Sequence, residues 1–238
     1  ISLCKIFCYN THMIYFDNVS KIYPDGTTAL DKVSFSIAQG EFVSIVGHSG
    51  AGKTTLTKLL LGEERATSGA VLFDSVDIQR MKKKDIPTLR RRIGVIFQDF
   101  RLLSNKTAYE NVAFAMEIAG KSDKEIASDV PYVLDLVGLG QKIWNFPRQL
   151  SGGELQRVSI ARAIINHPDI IIADEPTGNL DPINTYEIIQ ILKKINDLGT
   201  TVILTTHNKG VVESIGKRVI TMDHGMVVRD NPVGEYAL

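Results

Sequence analysis

Cysteine is nearly absent from this chain: Cys4 and Cys8 are the only two, close together, without C-x-x-C spacing or a histidine pattern beside them. Such a pair builds neither a disulfide framework nor a zinc site, and the two are read as free thiols of a reducing compartment. Long apolar runs are missing too. A bilayer-spanning helix needs roughly 20 consecutive apolar residues, and nothing here approaches that, so a role at a membrane requires another chain. Neither sign of charge is in excess, since Lys plus Arg and Asp plus Glu are each 27. No global field draws the chain to nucleic acid, and none is expected as a partner. Repeats and low-complexity stretches are also lacking. What remains is a globular chain of 238 residues, 44 % apolar, long enough to bury a substantial core.

Residues 1–12 carry no strand or helix period that joins the pattern beginning at Met13, and they lack a basic n-region and a small-residue cleavage site. They are expected to be an extension, with Met13 the natural start of a domain over 13–238.

The most informative segment runs from Gly47 to Thr55: Gly47, His48, Ser49, Gly50, Ala51, Gly52, Lys53, Thr54, Thr55. An apolar run (Phe42, Val43, Ile45, Val46) precedes it and an amphipathic stretch (Leu56, Leu59, Leu60) follows. Strand, glycine-rich loop and helix form the context of a phosphate-binding P-loop. Glycines allow a tight backbone whose N–H groups point inward, and the helix adds the positive end of its dipole. A nucleotide polyphosphate, ATP, is the expected guest. Lys53 is placed for the β- and γ-phosphates, the Thr54 hydroxyl for Mg²⁺, and Thr55 for the α-phosphate side.

Strand and helix signals alternate along the rest of the chain. Strands are expected at Met13 to Val19, Val33 to Ile37, Phe42 to Val46, Ala70 to Phe73, Ile93 to Phe97, Ile170 to Ala173 and Thr201 to Thr205. Thr107 with Glu110, and Ser122 with Glu125, are capping-box pairs that open two helices, and about 99–150 forms an inserted helical subdomain. Further helices are expected from Glu154 to Asn166, from Pro182 to Leu198 and from Asn208. The fold class is therefore α/β, with a mainly parallel sheet under helices and ligands at the carboxyl ends of its strands. Two compact basic runs stand out, Lys82-Lys83-Lys84 and Arg90-Arg91-Arg92. They read either as a solvated helical face or as contacts to anionic lipid heads beside a membrane partner.

Ile170-Ile171-Ile172-Ala173-Asp174-Glu175 is an apolar strand that ends in two carboxylates. Asp174 is suited to hold Mg²⁺, directly or through water, and Glu175 to polarise an attacking water as general base. Leu150-Ser151-Gly152-Gly153-Glu154 stands at a helix entry like a second anion site. Ser151 as a plain N-cap with Glu154 in a capping box is an alternative, and both can hold at once.

Taken together, these segments resemble the ABC-type ATPases, a P-loop NTPase family, over Met13 to about Arg229. The resemblance implies an antiparallel β subdomain beside the parallel core and the helical insert. It also implies roles: Ser151, Gly152, Gly153 and Glu154 as the family signature; Tyr23 stacking on adenine; Gln98 sensing Mg²⁺ and water; Asn179-Leu180-Asp181 joining two active sites; His207 at the γ-phosphate. Catalysis is thus expected from Glu175, His207, Gln98 and Lys53, and Mg²⁺ at Thr54, Gln98 and Asp174. Family members work as head-to-tail homodimers when ATP is bound, each nucleotide lying between the P-loop of one copy and the signature of the other.

Phe97 to Leu103, Leu61 to Arg65 and Ala173 to Asp181 are similar to the bacterial cell-division branch of this family; branches serving lipoprotein release and macrolide efflux share the last segment. That resemblance implies a peripheral position on the cytoplasmic face of the inner membrane, beside a permease subunit. Asp99, Phe100, Arg101, Leu102 and Leu103 form an apolar patch rimmed by charge, expected to receive a short permease helix. The alternative is that these residues pack the base of the helical insert.

Overall fold

The structure, a computed structural model, describes residues 12–234. Cys4 and Cys8, and all of the expected extension except His12, lie outside the described residues.

Two sheets organise the chain. The first contains β1 (His12–Ile22), β2 (Thr28–Ala38), β4 (Ser68–Phe73) and the short β5 (Val76–Asp77), in the order β2-β1-β4-β5 and antiparallel throughout. His12 already pairs with Ala38, so the first strand begins one residue ahead of Met13. The second sheet has six strands: β3 (Phe42–Val46), β6 (Ile93–Phe97), β7 (Ile170–Asp174), β8 (Thr201–Thr206), β9 (Arg218–Asp223) and β10 (Met226–Asn231). Their order is β10-β9-β3-β8-β7-β6. All neighbours pair in parallel except the edge strand β10, which is antiparallel to β9.

Every residue of β3 and β8 is buried, and so are the first four of β7, as the continuous apolar runs of a sheet covered on both faces require. On one face, α1 (Lys53–Leu60) fills the space between the sheets with Leu56, Leu59 and Leu60. These pack among Phe16, Val43, Ile45 and Ile172, and Phe16 stacks on Phe35 at 4.7 Å between ring centroids. On the other face lie α3 (Ala108–Ile118), α4 (Asp123–Leu136), α5 (Gly152–Ile164), α6 (Pro182–Asp197) and α7 (Lys209–Ile215). The expected capping boxes are formed: Thr107 with Glu110 opens α3, Ser122 with Glu125 opens α4, and Ser151 with Glu154 opens α5. Each satisfies two otherwise orphaned N–H groups.

The short β5 and the pair β9 and β10 are not expected from the sequence, and α2 (Ile86–Arg91) carries part of the second basic run. All four lie in polar or mixed segments with weak periodicity. β9 is nevertheless central to the core, with Val219, Ile220 and Met222 fully buried. Its pairing with β3, across more than 170 residues of chain, is what turns a modest local β signal into a strand.

The registers align the strand ends. Val46 lies opposite Thr206, Asp174 opposite Thr205, and Phe97 opposite Asp174. The loops that leave β3, β6, β7 and β8 therefore emerge side by side.

Candidate functional site

A cavity of about 540 Å³ opens at those strand ends, lined by Thr27, Thr28, Ala29, His48, Ser49, Gly50, Gly52, Lys53, Thr54, Thr55, Gln98, Asp174, Glu175 and His207. The loop after β3 forms its floor. Gly52 has φ of 102°, and a Cβ there would lie 2.6 Å from the Ala29 carbonyl oxygen, so only glycine passes this turn. Gly47 and Ala51 of the same loop are buried and do not line the cavity. The helices α3 to α7 each start with a side-chain cap, whereas α1 starts at Gly52 with none. Its first N–H groups are left for an anion, at the positive end of the helix.

Lys53 is only 8 % exposed and donates to the carbonyls of Gly47, at 2.7 Å, and His48, at 3.1 Å. Its ammonium stands 3.9 Å from Oε1 of Glu175. The same carboxylate oxygen is 2.9 Å from Nδ1 of His207. Glu175 holds φ of 49°, an unusual conformation for a residue with a Cβ, and its N–H donates to the Thr205 carbonyl at 3.0 Å. That turn swings the side chain away from the strand direction and over the cavity. Asp174, one residue earlier, accepts a hydrogen bond from the Thr205 hydroxyl. Gln98 closes the side, with its Nε2 donating to Asn179 Oδ1 at 3.3 Å while Asn179 Nδ2 donates to the Gln98 carbonyl at 3.4 Å.

The cavity thus joins a bed of backbone N–H groups and an ammonium, suited to phosphates, with a carboxylate, an amide and an imidazole suited to steering a water molecule. Thr54, Gln98 and Asp174 offer a hydroxyl, an amide oxygen and a carboxylate, the hard oxygen donors Mg²⁺ prefers. Among the described residues no group of three or more His, Cys, Asp or Glu side chains could hold a metal. An ion here would be completed by phosphate oxygens and water, as magnesium sites on nucleotides usually are.

Other expected site residues are not in this cavity. Tyr23 does not line it; its ring lies under the Lys21 ammonium, 4.9 Å away. Ser151, Gly152, Gly153 and Glu154 do not line it either. Glu154 accepts from the Ser151 N–H at 2.8 Å and pairs with Lys142. The Lys142 ammonium first, then that N–H, hold its carboxyl below the usual carboxylate range. Asp181 caps α6 by accepting from the Asn184 N–H at 2.9 Å, and that bond lowers its carboxyl likewise. Signature and cap are close to each other: a Cβ on Gly153 would fall 1.8 Å from Asn184 Oδ1, and one on Gly152 would touch Leu180.

The ABC transporter family matches residues 30–178, more than half of the chain. This chain belongs to that family. Among curated proteins it is 52 % identical over 224 residues to the cell division ATP-binding protein FtsE of Bacillus subtilis, covering 94 % of this chain and 98 % of that protein. To FtsE of Escherichia coli it is 47 % identical over 213 residues, covering 90 % and 96 %. Among solved structures it is similar to the ATP-binding cassette MJ0796, a dimer in a post-hydrolysis state bound to ADP and Pi. The identity there is 36 %, the TM-score 0.85, and the match covers 94 % of this chain and all of the other.

Sequence reasoning overlooked Thr205 as the hydroxyl that holds Asp174, and the reciprocal pairing of Asn179 with Gln98. A threonine two positions ahead of His207 on a strand neighbouring β7 was the available signal for the first. The second is marked by Gly178, where a Cβ would stand 2.7 Å from Gln98 Nε2.

Proposed function

We propose that this chain is the ATP-hydrolysing subunit of a membrane ABC complex acting in bacterial cell division, on the cytoplasmic face of the inner membrane, with an FtsX-like permease as partner. Membership of the ABC family and identity near one half to FtsE proteins along almost the whole chain support the class of function. The observation that carries the chemistry is the convergence of Lys53, Gln98, Asp174, Glu175 and His207 on one cavity.

In this reading the loop from Gly47 to Thr55 holds the ATP phosphates, with Lys53 leaving its own loop carbonyls for the β- and γ-phosphates. Tyr23 meets the adenine. Thr54, Asp174 and Gln98 hold Mg²⁺, which when bound neutralises charge on the phosphates. Glu175 takes the proton of the attacking water. His207 keeps Glu175 in place and contacts the γ-phosphate. Ser151, Gly152, Gly153, Glu154 and Asp181 serve the nucleotide of a second copy, in an ATP-bound homodimer. Co-expression tests the assignment: the FtsX-like membrane protein of the same cell should co-purify with this chain, and depletion of the chain should produce a division defect. Normal division with no co-purification overturns it.

Docking of the permease is assigned to the segment after β6. Two carbonyls of this segment are held by Arg162, which donates to those of Arg101, at 2.7 Å, and Phe100, at 2.9 Å. Phe100 and Arg101 both have positive φ, 59° and 48°. Leu102 packs against the helical core, Leu103 is 36 % exposed and Phe100 is half-buried. The apolar patch is therefore smaller than the sequence implies, because Leu102 turns inward. A groove of about 360 Å³ beside it, lined by Ile118, Val95 and Arg162 among others, extends the surface. Phe100→Asp is expected to abolish co-purification with the permease and to keep basal ATPase within a few-fold of normal. Loss of ATPase and solubility together would assign Phe100 to the core.

A further inference from the structure

The basic runs are the one sequence feature that the nucleotide site does not absorb. Between residues 80 and 92 stand seven cations and a single acid, Asp85, in a chain with equal totals of both signs. Two of the seven are committed to carboxylates: Arg80 to Asp77 at 3.1 Å, and Arg92 to Asp74 and Asp169. Arg90 spends its Nε on the Leu61 carbonyl, at 2.9 Å, and has no carboxylate partner among the described residues. Lys82, Lys83, Lys84 and Arg91 are exposed, and among the described residues their charged groups form neither a hydrogen bond nor an ion pair.

These cations do not sit on a loose tail. Leu89 of α2 is 5 % exposed, Ile78 is 3 % exposed, and Ile86 and Met81 pack against the same core cluster. A Cβ on Gly62 would lie 2.8 Å from Ile86 Cδ1, so α2 is seated closely on the end of α1. The apolar side of residues 78–89 is anchored and the cationic side is turned outward as a fixed ledge. Pro87, Arg90 and Arg91 also line the groove beside the segment assigned to the permease. The ledge and the proposed docking surface are therefore one continuous face.

We propose that this ledge, with Lys82, Lys83, Lys84 and Arg91 as its free charges, rests on the anionic headgroups of the bilayer. Concentrated cations on a rigid surface gain from a negatively charged membrane within a Debye length, whereas the same cations scattered over a neutral protein do not. The orientation rests on the docking assignment for residues 99–103, but lipid contact itself needs no partner and can be read on the purified full-length chain.

The test is co-sedimentation with vesicles of 30 % phosphatidylglycerol in phosphatidylcholine, against vesicles of phosphatidylcholine alone. The wild-type chain should partition to the anionic vesicles only, and raising salt from 50 mM to 500 mM should release it. The triple variant Lys82→Gln, Lys83→Gln, Lys84→Gln should lose on the order of 100-fold in partitioning. A control with the same charge change at exposed, scattered positions, Lys124→Gln, Lys194→Gln and Lys217→Gln, should bind within a few-fold of wild type. Both triples should keep the circular dichroism and ATPase of the wild type. Phe100→Asp should still bind vesicles, which separates failure of the permease assignment from failure of this one. The proposal is overturned if the wild type ignores anionic vesicles at low salt, if the two triples bind alike, or if a single-stranded oligonucleotide displaces the chain from the vesicles.

Discussion

Glu175→Gln is expected to lower steady-state ATP turnover by about 10² to 10⁴-fold while nucleotide affinity stays near that of the wild type. That factor corresponds to roughly 3 to 5 kcal/mol of barrier. The amide keeps the size of the carboxylate and an oxygen that can face His207, whose Nδ1 lies 2.9 Å from Glu175 Oε1. What it loses is the ability to take a proton. The phosphate bed, made of loop N–H groups and Lys53, is untouched. Turnover measured beside a binding titration decides the matter, and a variant that hydrolyses ATP at an ordinary rate removes Glu175 from the role of base. Lys53→Ala should behave differently, because it strips the cation from the phosphate bed and weakens binding itself.

The second large effect concerns assembly. Ser151, Gly152 and Gly153 lie outside the cavity that holds the loop from His48 to Thr55, and in the proposed homodimer they serve the nucleotide of the other copy. The hydrolysis-blocked Glu175→Gln protein should accordingly change from monomer to dimer on adding ATP and remain monomeric with ADP. Light scattering would show the mass double. Adding Ser151→Arg, which puts a bulky charge at the mouth of α5, should prevent the doubling while leaving ATP binding to the monomer intact. A chain that hydrolyses ATP at full rate as a highly diluted monomer would refute the shared arrangement.

Much of this organisation is legible in the sequence because it is written locally. The P-loop, the three capping boxes and the apolar strand before Asp174 and Glu175 each state their conformation within a few residues. Other features are settled by distant chain. β9 is a strand because β3 lies beside it, and no window around Arg218–Asp223 contains that information. Leu102 looks like a docking residue in sequence, yet two successive residues at positive φ turn it into the helical core. The left-handed backbone of Glu175 is likewise invisible in its residue type; it follows from the sharp exit from β7 beside Thr205. Tyr23 is assigned to adenine by resemblance alone, and the cavity reaches Thr27 without extending to it.

Gly94 has a mechanical meaning. It sits in β6, four residues before Gln98, where a Cβ would lie 2.5 Å from the Ala163 carbonyl oxygen near the end of α5. Strand and helix are thereby brought into close backbone contact, and the Ile171 side chain, whose Cδ1 would lie 2.6 Å from the same Cβ, fills the rest of the space. α5 is one stiff rod of about 20 Å, with the Ser151 signature at its free end and this contact near its other. A side chain at position 94 would have to push β6 and α5 apart, so the spacing between the strand that carries Gln98 and the helix that carries Ser151 is set by the absence of a single methyl group.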